Sequence, residues 1–147
     1  MAQIAFITGA SSGIGEACAR KFAQGGYTLL LNARNVEKLE ALRAELQTTY
    51  GVEVVLLPFD VRDRKAAEAA LLQLPAEYQA IDILVNNAGL ALGIDKEYEG
   101  TEENYDTMIE TNITALLMIT RLIVPGMVER GKGHIINIGS VAGDAAY

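Results

Sequence analysis

Three glycines near the start of the chain form its clearest chemical signal. They lie in the segment Thr8-Gly9-Ala10-Ser11-Ser12-Gly13-Ile14-Gly15, directly after a short apolar run, where a strand gives way to a helix. Gly9 would allow a tight turn, Gly13 would let the backbone approach a phosphate, and Gly15 would let the helix pack closely on the strand. Because a helix N-terminus offers unpaired N–H groups to phosphates, the segment predicts a pyrophosphate site. The alternative is a purely structural turn.

The end of the second apolar run indicates which nucleotide this site would take. An acidic residue about 20 positions after such glycines would bind a ribose 2′-hydroxyl. No Asp or Glu lies between Glu16 and Glu37, and the run ends in Leu31-Asn32-Ala33-Arg34. The planar guanidinium of Arg34 could pair with a 2′-phosphate, so the pattern favours NADP over NAD. Otherwise, Arg34 is a solvated side chain before a helix.

The elements that would position these residues alternate between strand and helix. The strands are apolar on both faces, as expected of a parallel sheet covered by helices on both sides. The pattern predicts an α/β fold with a doubly wound parallel sheet of the Rossmann type, in one domain over residues 1–147. We expect strands at 3–8, 27–31, 52–57, 81–85 and 134–138. We expect helices at 14–24, 36–49, 64–74 and from an N-cap at Thr101 toward 130, with a bend at Pro125-Gly126.

Four motifs together resemble the short-chain dehydrogenase/reductase family. They are the glycine segment Thr8–Gly15, Asn86-Asn87-Ala88-Gly89 after the fourth strand, Asn112 in the long helix, and the run from Gly133 to Ser140. They follow the family's order over nearly the whole chain. The resemblance implies an enzyme that moves a hydride between NADP(H) and a secondary alcohol carbon.

The resemblance also implies a role for each matching residue. Asp60 would accept a hydrogen bond from the adenine amino group and the Val61 backbone would meet the ring, while Asn86 would be a structural partner in its turn. Ser140 would hydrogen-bond the substrate oxygen, and the Asn112 backbone would hold a relay water while its side chain fixes a local bend. The implied catalytic residues are Ser140 and Asn112, with no metal; the cofactor-binding residues are Gly9, Ser11, Ser12, Gly13, Ile14, Gly15, Arg34, Asp60, Val61, Asn87, Ala88 and Gly89.

Two of these residues also allow simpler interpretations. Asp60 could be only the N-cap of the next helix. Asn112 is unfavourable inside a helix, so it could instead be hydrogen-bonded between helices. The only histidine, His134, lies at the far end of its strand from Ser140, which argues for a structural or surface role and against a Ser-His nucleophile.

The resemblance further implies a Tyr-x-x-x-Lys pair downstream of Ser140. The tyrosine would be the acid/base, and the lysine one helical turn later would activate it and hold the ribose. Tyr147 lies closer to Ser140 than the family's tyrosine does, so we do not assign it that role. We therefore expect a fragment or a truncated product, inactive and of little stability as residues 1–147 alone.

Composition excludes several classes of partner. The chain has 147 residues, 50% hydrophobic and 21% charged, with a net charge of −7 and no basic cluster, which argues against nucleic acid and anionic membranes. The apolar stretch 113–124 is short for a bilayer span, and no basic segment precedes the first apolar run. The single cysteine, Cys18, is expected to be a buried thiol, which fits a cytoplasmic setting.

Substrate and assembly follow only from the resemblance. Segments 86–93 and 122–143 look closest to the branch acting on 3-hydroxy acids, serine and allo-threonine; ketoacyl, sugar or steroid reductases are the alternatives within the family. A non-catalytic NADP-binding module is the alternative from another class. We expect a homo-oligomer, since the long helix carries more apolar residues than one sheet face needs, namely Met108, Ile109, Leu116, Leu117, Ile119 and Ile123.

Overall fold

A five-stranded parallel sheet forms the centre of the molecule. The computed structural model describes residues 1–144, so Tyr147 lies outside the described residues. The strand order is β3-β2-β1-β4-β5, and every pairing is parallel. This confirms the predicted doubly wound sheet. The strands are β1 (Ile4–Ile7), β2 (Thr28–Ala33), β3 (Val54–Pro58), β4 (Ile83–Asn86) and β5 (His134–Asn137).

Helices cover both faces of this sheet, and three of the five begin at a side-chain N-cap. Asn35 accepts the N–H of Lys38 and Thr101 accepts that of Asn104, so the predicted cap at Thr101 is confirmed. The helix and strand ends agree with those predicted to within two residues. The helices are α1 (Gly13–Gln24), α2 (Val36–Tyr50), α3 (Arg64–Leu72), α4 (Glu102–Ile109) and α5 (Ala115–Arg130).

The core has two halves because successive strand residues point to opposite faces. In β1, Phe6 joins the cluster formed with α3 and α5, whereas Ile7 joins the cluster formed with α1 and α2. Both side chains are fully buried. Helix α1 presents Gly15, Ala19 and Ala23 to the sheet, so Cys18 lies beside that face. Cys18 is therefore half-buried and less enclosed than predicted, although it packs against the core cluster on that face.

The long helical stretch is interrupted early rather than late. A π-helical turn, Glu110–Thr114, separates α4 from α5, while α5 continues through Pro125-Gly126. Helix α5 is not interrupted at Pro125-Gly126, so the bend expected there stays a prediction, whereas the irregularity upstream was not predicted from the sequence. Such turns insert an extra residue and often lie at functional sites. Here the turn contains Asn112.

The same stretch, Glu102–Arg130, has 29 residues and is long and apolar enough to cross a membrane. Residues 113–124, the apolar run considered in the sequence, are only part of this longer helical stretch. Core helices meet the same criterion, so the evidence for a membrane span is weak. In this fold, Ala115, Ile119, Ile123 and Met127 are buried against the sheet.

Candidate functional site

The carboxyl ends of all five strands open onto one cleft of about 770 Å³. The cleft spans the boundary between β1 and β4, where the strand order reverses direction and ligands bind in folds of this type. Gly13 and Gly15 do not line it. The predicted residues that do are Gly9, Ser11, Ser12, Ile14, Arg34, Asp60, Val61, Asn87, Ala88, Gly89, Asn112 and Ser140.

Hydrogen bonds brace the glycine turn against the loop after β4. The Thr8 hydroxyl accepts the N–H groups of Asn87 and Ala88, each at 3.0 Å. The Asn87 amide donates to the carbonyls of Thr8 at 3.1 Å and Gly9 at 3.0 Å. Both amide hydrogens of Asn87 are thus held by the turn, so this side chain fixes the loop on which a nucleotide would lie.

Gly15 has a packing role, as its spacing predicts. A Cβ there would lie 2.9 Å from the carbonyl carbon of Gly9 and closer still to the Gly9 oxygen and the Asn87 amide nitrogen. No side chain fits into that gap. Gly13 is different, because it has a φ of +55° and open space where a Cβ would stand.

The far end of the cleft carries an ion pair that sequence analysis missed. Asp60 accepts the backbone N–H of Arg62 at 2.9 Å and pairs with the Arg62 guanidinium at 2.9 Å. These side-chain hydrogen bonds hold the pKa of the Asp60 carboxyl below its usual range. Helix α3 is capped by Asp63, which accepts the N–H of Ala66, so the N-cap interpretation of Asp60 was wrong.

Asn112 clamps the loop after β4. Its side-chain oxygen accepts the N–H of Leu90 at 2.9 Å, and its amide donates to the Leu90 carbonyl at 2.7 Å. The partner, Leu90, lies in a loop, so the interpretation of Asn112 as a residue hydrogen-bonded between helices was wrong. Asn112 lies within the π-helical turn, and the role of its side chain in fixing a local bend stays a prediction. The relay water at its backbone stays a prediction.

We expect substitution of Asn112 to loosen this loop. Asn112→Ala removes two hydrogen bonds to Leu90, each worth about 1 kcal/mol. Asn112→Asp keeps the acceptor and loses the donor, so it is expected to have an intermediate effect. Amide hydrogen exchange at Leu90 should accelerate in the order Asn, Asp, Ala. Unchanged exchange at Leu90 in Asn112→Ala would contradict the clamp.

Ser140 stands exposed just beyond β5, at the edge of the cleft. Its oxygen accepts the N–H of Ala142 at 3.1 Å, and no other residue of 1–144 engages the hydroxyl hydrogen, which can therefore be donated to a ligand. His134 is exposed at the opposite end of the same strand, as predicted. Ser140 can therefore act as a hydrogen-bond donor at the cleft without a histidine partner.

Asn86 is structural, as predicted, but lies within β4 rather than in the turn. Its buried amide donates to the Thr120 hydroxyl at 3.0 Å and to the Asn137 oxygen at 2.9 Å. It thereby ties β4 to α5 and β5. This anchors the strand end from which the Asn87 loop departs.

Two buried polar residues at the cleft were missed from the sequence. Asn32 donates to the carbonyls of Leu57 at 3.0 Å and Phe59 at 2.9 Å, which holds the segment leading to Asp60. A polar residue inside an apolar strand was the available signal. Thr111 is buried beside Asn112, and its hydroxyl has no protein partner within residues 1–144. No spacing pattern marked it.

Comparison with known proteins places the chain in a family. The short chain dehydrogenase family matches residues 3–147. The NADP-dependent 3-hydroxy acid dehydrogenase YdfG of Escherichia coli is 47% identical over 144 residues, which are 98% of this chain and 56% of that protein. The crystal structure of serine dehydrogenase from Escherichia coli has a TM-score of 0.92 at 47% identity, covering 99% of this chain and 65% of that chain.

A second solved structure is the closed form of serine dehydrogenase complexed with NADP+. It has a TM-score of 0.90 at 46% identity, covering 99% of this chain and 57% of that chain. The chain spans little more than half the length of the curated relatives it matches. Since the match extends over almost the whole chain and includes the cleft, the chain belongs to the short chain dehydrogenase family.

Proposed function

We propose that this protein is an NADP-dependent dehydrogenase acting on a small 3-hydroxy acid such as serine or allo-threonine. The observation that carries the proposal is that one cleft joins the glycine turn, Arg34 and Ser140 at the carboxyl edge of the sheet. The names of the similar proteins supply the substrate class and the cofactor. A ketoacyl, sugar or steroid reductase remains the alternative within the family.

The start of α1 fits a bound pyrophosphate. Ser12, its N-cap, makes no side-chain cap hydrogen bond, so within residues 1–144 the first N–H groups of the helix are not capped by a side chain. Gly13 has open space beside it. Unpaired N–H groups at a helix N-terminus bind phosphate oxygens. We therefore assign Gly9, Ser11, Ser12, Gly13, Ile14 and Gly15 to the turn that holds the pyrophosphate.

The remaining cofactor contacts lie along the other strand ends. Arg34 would pair with the 2′-phosphate, and Asp60 with Val61 would hold the adenine. The backbone of Asn87, Ala88 and Gly89 would line the ribose. When bound, NADP supplies the hydride acceptor or donor.

At the substrate end, the chain's own contribution is a hydrogen bond. The Ser140 hydroxyl would donate to the oxygen on the reacting carbon and stabilise the charge that develops there. It is too weak a base to take the alcohol proton. Asn112 keeps the Leu90 loop in place beside that position.

Arg34→Asp is expected to weaken NADPH binding on the order of 100-fold, because a charge-assisted pair is replaced by repulsion. NADH, which has no 2′-phosphate, should bind nearly as before. Fluorescence titration of the complete protein with both nucleotides measures this. Lys38→Asp changes an exposed cation of α2 outside the cleft and serves as the control. Equal affinity of the unmodified protein for NADPH and NADH would contradict the assignment.

Catalysis is tested by NADP reduction with serine, allo-threonine and other 3-hydroxy acids. We expect turnover by the complete protein with at least one of them. Normal NADP binding without turnover on any alcohol would favour the non-catalytic NADP-binding module instead.

We also propose a cytoplasmic homo-oligomer. Ile109, Ile113 and Leu117 form a stripe on the long helical stretch and are 51%, 55% and 55% exposed. An exposed apolar stripe of this kind is typical of an interface. Of the apolar residues counted in the sequence, Ile119 and Ile123 belong instead to the core.

We expect sedimentation velocity of the complete protein to give a mass of at least two copies. A monomeric mass at micromolar concentration would contradict the homo-oligomer. The cytoplasmic setting is supported by the low cysteine content of residues 1–147, where Cys18 has no second cysteine to pair with.

A further inference from the structure

We infer that Arg62 sets the cofactor selectivity of the cleft indirectly, by neutralising Asp60 so that Arg34 stays available to a 2′-phosphate. The inference rests on the proposed NADP specificity. It makes Arg62 a positioning residue that acts through Asp60, in addition to the direct contact assigned to Arg34.

The geometry couples Asp60 and Arg62 closely. The Arg62 Nε lies 3.2 and 3.3 Å from the two carboxylate oxygens of Asp60, and a terminal nitrogen lies 2.9 Å from Oδ2. The backbone N–H of Arg62 adds a contact of 2.9 Å to Oδ1. About a third of each side chain is exposed, and both residues line the cleft. The fork of the guanidinium thus faces the carboxylate and not the open cleft.

The charges along the cleft explain why this pairing matters. Among the described residues, its charged lining consists of Arg34, Asp60 and Arg62. Arg34 is exposed and forms no ion pair with residues 1–144. Arg34 nonetheless acts on Asp60, since it adds to the larger effect of Arg62 in lowering the pKa of that carboxyl.

Without Arg62, the Asp60 carboxylate would compete for Arg34 and repel a phosphate bound nearby. The rest of the chain offers little positive charge to replace Arg62, because its net charge is −7. Glu110, a further negative charge, also acts on Arg62. By the proposed assignment, the 5′-phosphate would lie at the glycine turn, which lines the same cleft as Asp60 but follows a different strand. Neutralisation of Asp60 by Arg62 should therefore strengthen the binding of a 2′-phosphate more than that of a 5′-phosphate.

The experiment compares 2′,5′-ADP with 5′-AMP, two nucleotides that differ in the 2′-phosphate and need no turnover. Calorimetric titration of the complete protein gives the affinity ratio. Arg62→Gln is expected to reduce the preference for 2′,5′-ADP on the order of tenfold. Arg62→Lys keeps the charge and should keep most of the preference. Arg64→Gln removes an exposed cation two residues further on, outside the cleft, and should leave the ratio unchanged.

A double substitution separates neutralisation from direct contact. If Arg62 acts through Asp60, then Asp60→Asn together with Arg62→Gln should restore the preference that Arg62→Gln alone loses. Thermal melting of each variant checks that it is folded. An unchanged ratio in Arg62→Gln, or no restoration in the double variant, would overturn the inference while leaving the NADP assignment intact. Equal binding of both nucleotides by the unmodified protein would overturn the NADP assignment itself, and this inference with it.

Discussion

Replacing Ser140 with alanine is expected to lower kcat/KM of the complete protein by about 10²–10³-fold, the usual effect of removing one hydrogen-bond donor to a developing oxyanion. Within residues 1–144, the Ser140 oxygen accepts the N–H of Ala142 and the hydroxyl donates to no other group, so its hydrogen can be donated to substrate. Steady-state kinetics with serine or allo-threonine measures the loss. Stability should hardly change, since Ser140 is exposed and the Ala142 N–H can turn to water.

Ser140→Thr is the matched control, because it keeps the hydroxyl and should retain part of the activity. NADPH affinity is the second readout and should stay within about twofold in both variants, since the affected contact is made to substrate. Full activity in Ser140→Ala would remove Ser140 from the reaction. A parallel loss of NADPH affinity would instead assign Ser140 to cofactor binding.

The sheet could be predicted because its burial leaves a continuous signal. A parallel strand buried on both faces is mostly apolar, and Ile4–Ile7 and residues 83–85 stand out for that reason. Parallel strands joined by helices bring their carboxyl ends to one edge. The amino-acid sequence is therefore sufficient to place residues that follow five different strands in one cleft.

Contacts between side chains could not be predicted in the same way. The clamp between Asn112 and Leu90 joins residues 22 positions apart and depends on the path of a loop. The pair of Asp60 and Arg62 is local, yet its rotamers decide whether the arginine faces the carboxylate or a ligand. Neither path nor rotamer leaves a periodic pattern in the sequence.

The long helical stretch shows where a local rule is incomplete. Proline normally breaks a helix because it lacks an N–H and crowds the carbonyl four residues earlier. Here Pro125 and Arg121 are both exposed, so the carbonyl of Arg121 lies on the side of α5 that faces away from the sheet, and the helix continues. The actual irregularity at Glu110–Thr114 contains neither proline nor glycine.

Gly15→Ala is expected to destabilise the fold by about 3 kcal/mol or more, at the upper end of overpacking effects. The new methyl would overlap the Gly9 carbonyl and the Asn87 amide, and the carbonyl belongs to the backbone of a turn that is braced from both sides. Neither neighbour can move without breaking the contacts between the β1 and β4 loops. Chemical denaturation of the complete protein measures the free energy of unfolding.

Gly13→Ala is the matched comparison two residues away. Its Cβ would enter open space, so only the positive φ of +55° opposes it, at about 1–2 kcal/mol. Both substitutions should weaken NADPH binding, since both alter the start of α1, but only Gly15→Ala should unfold readily. If the two variants lose the same stability, the close approach of α1 to the Gly9 turn does not constrain the fold. If Gly13→Ala binds NADPH as tightly as the unmodified protein, the pyrophosphate does not lie against Gly13.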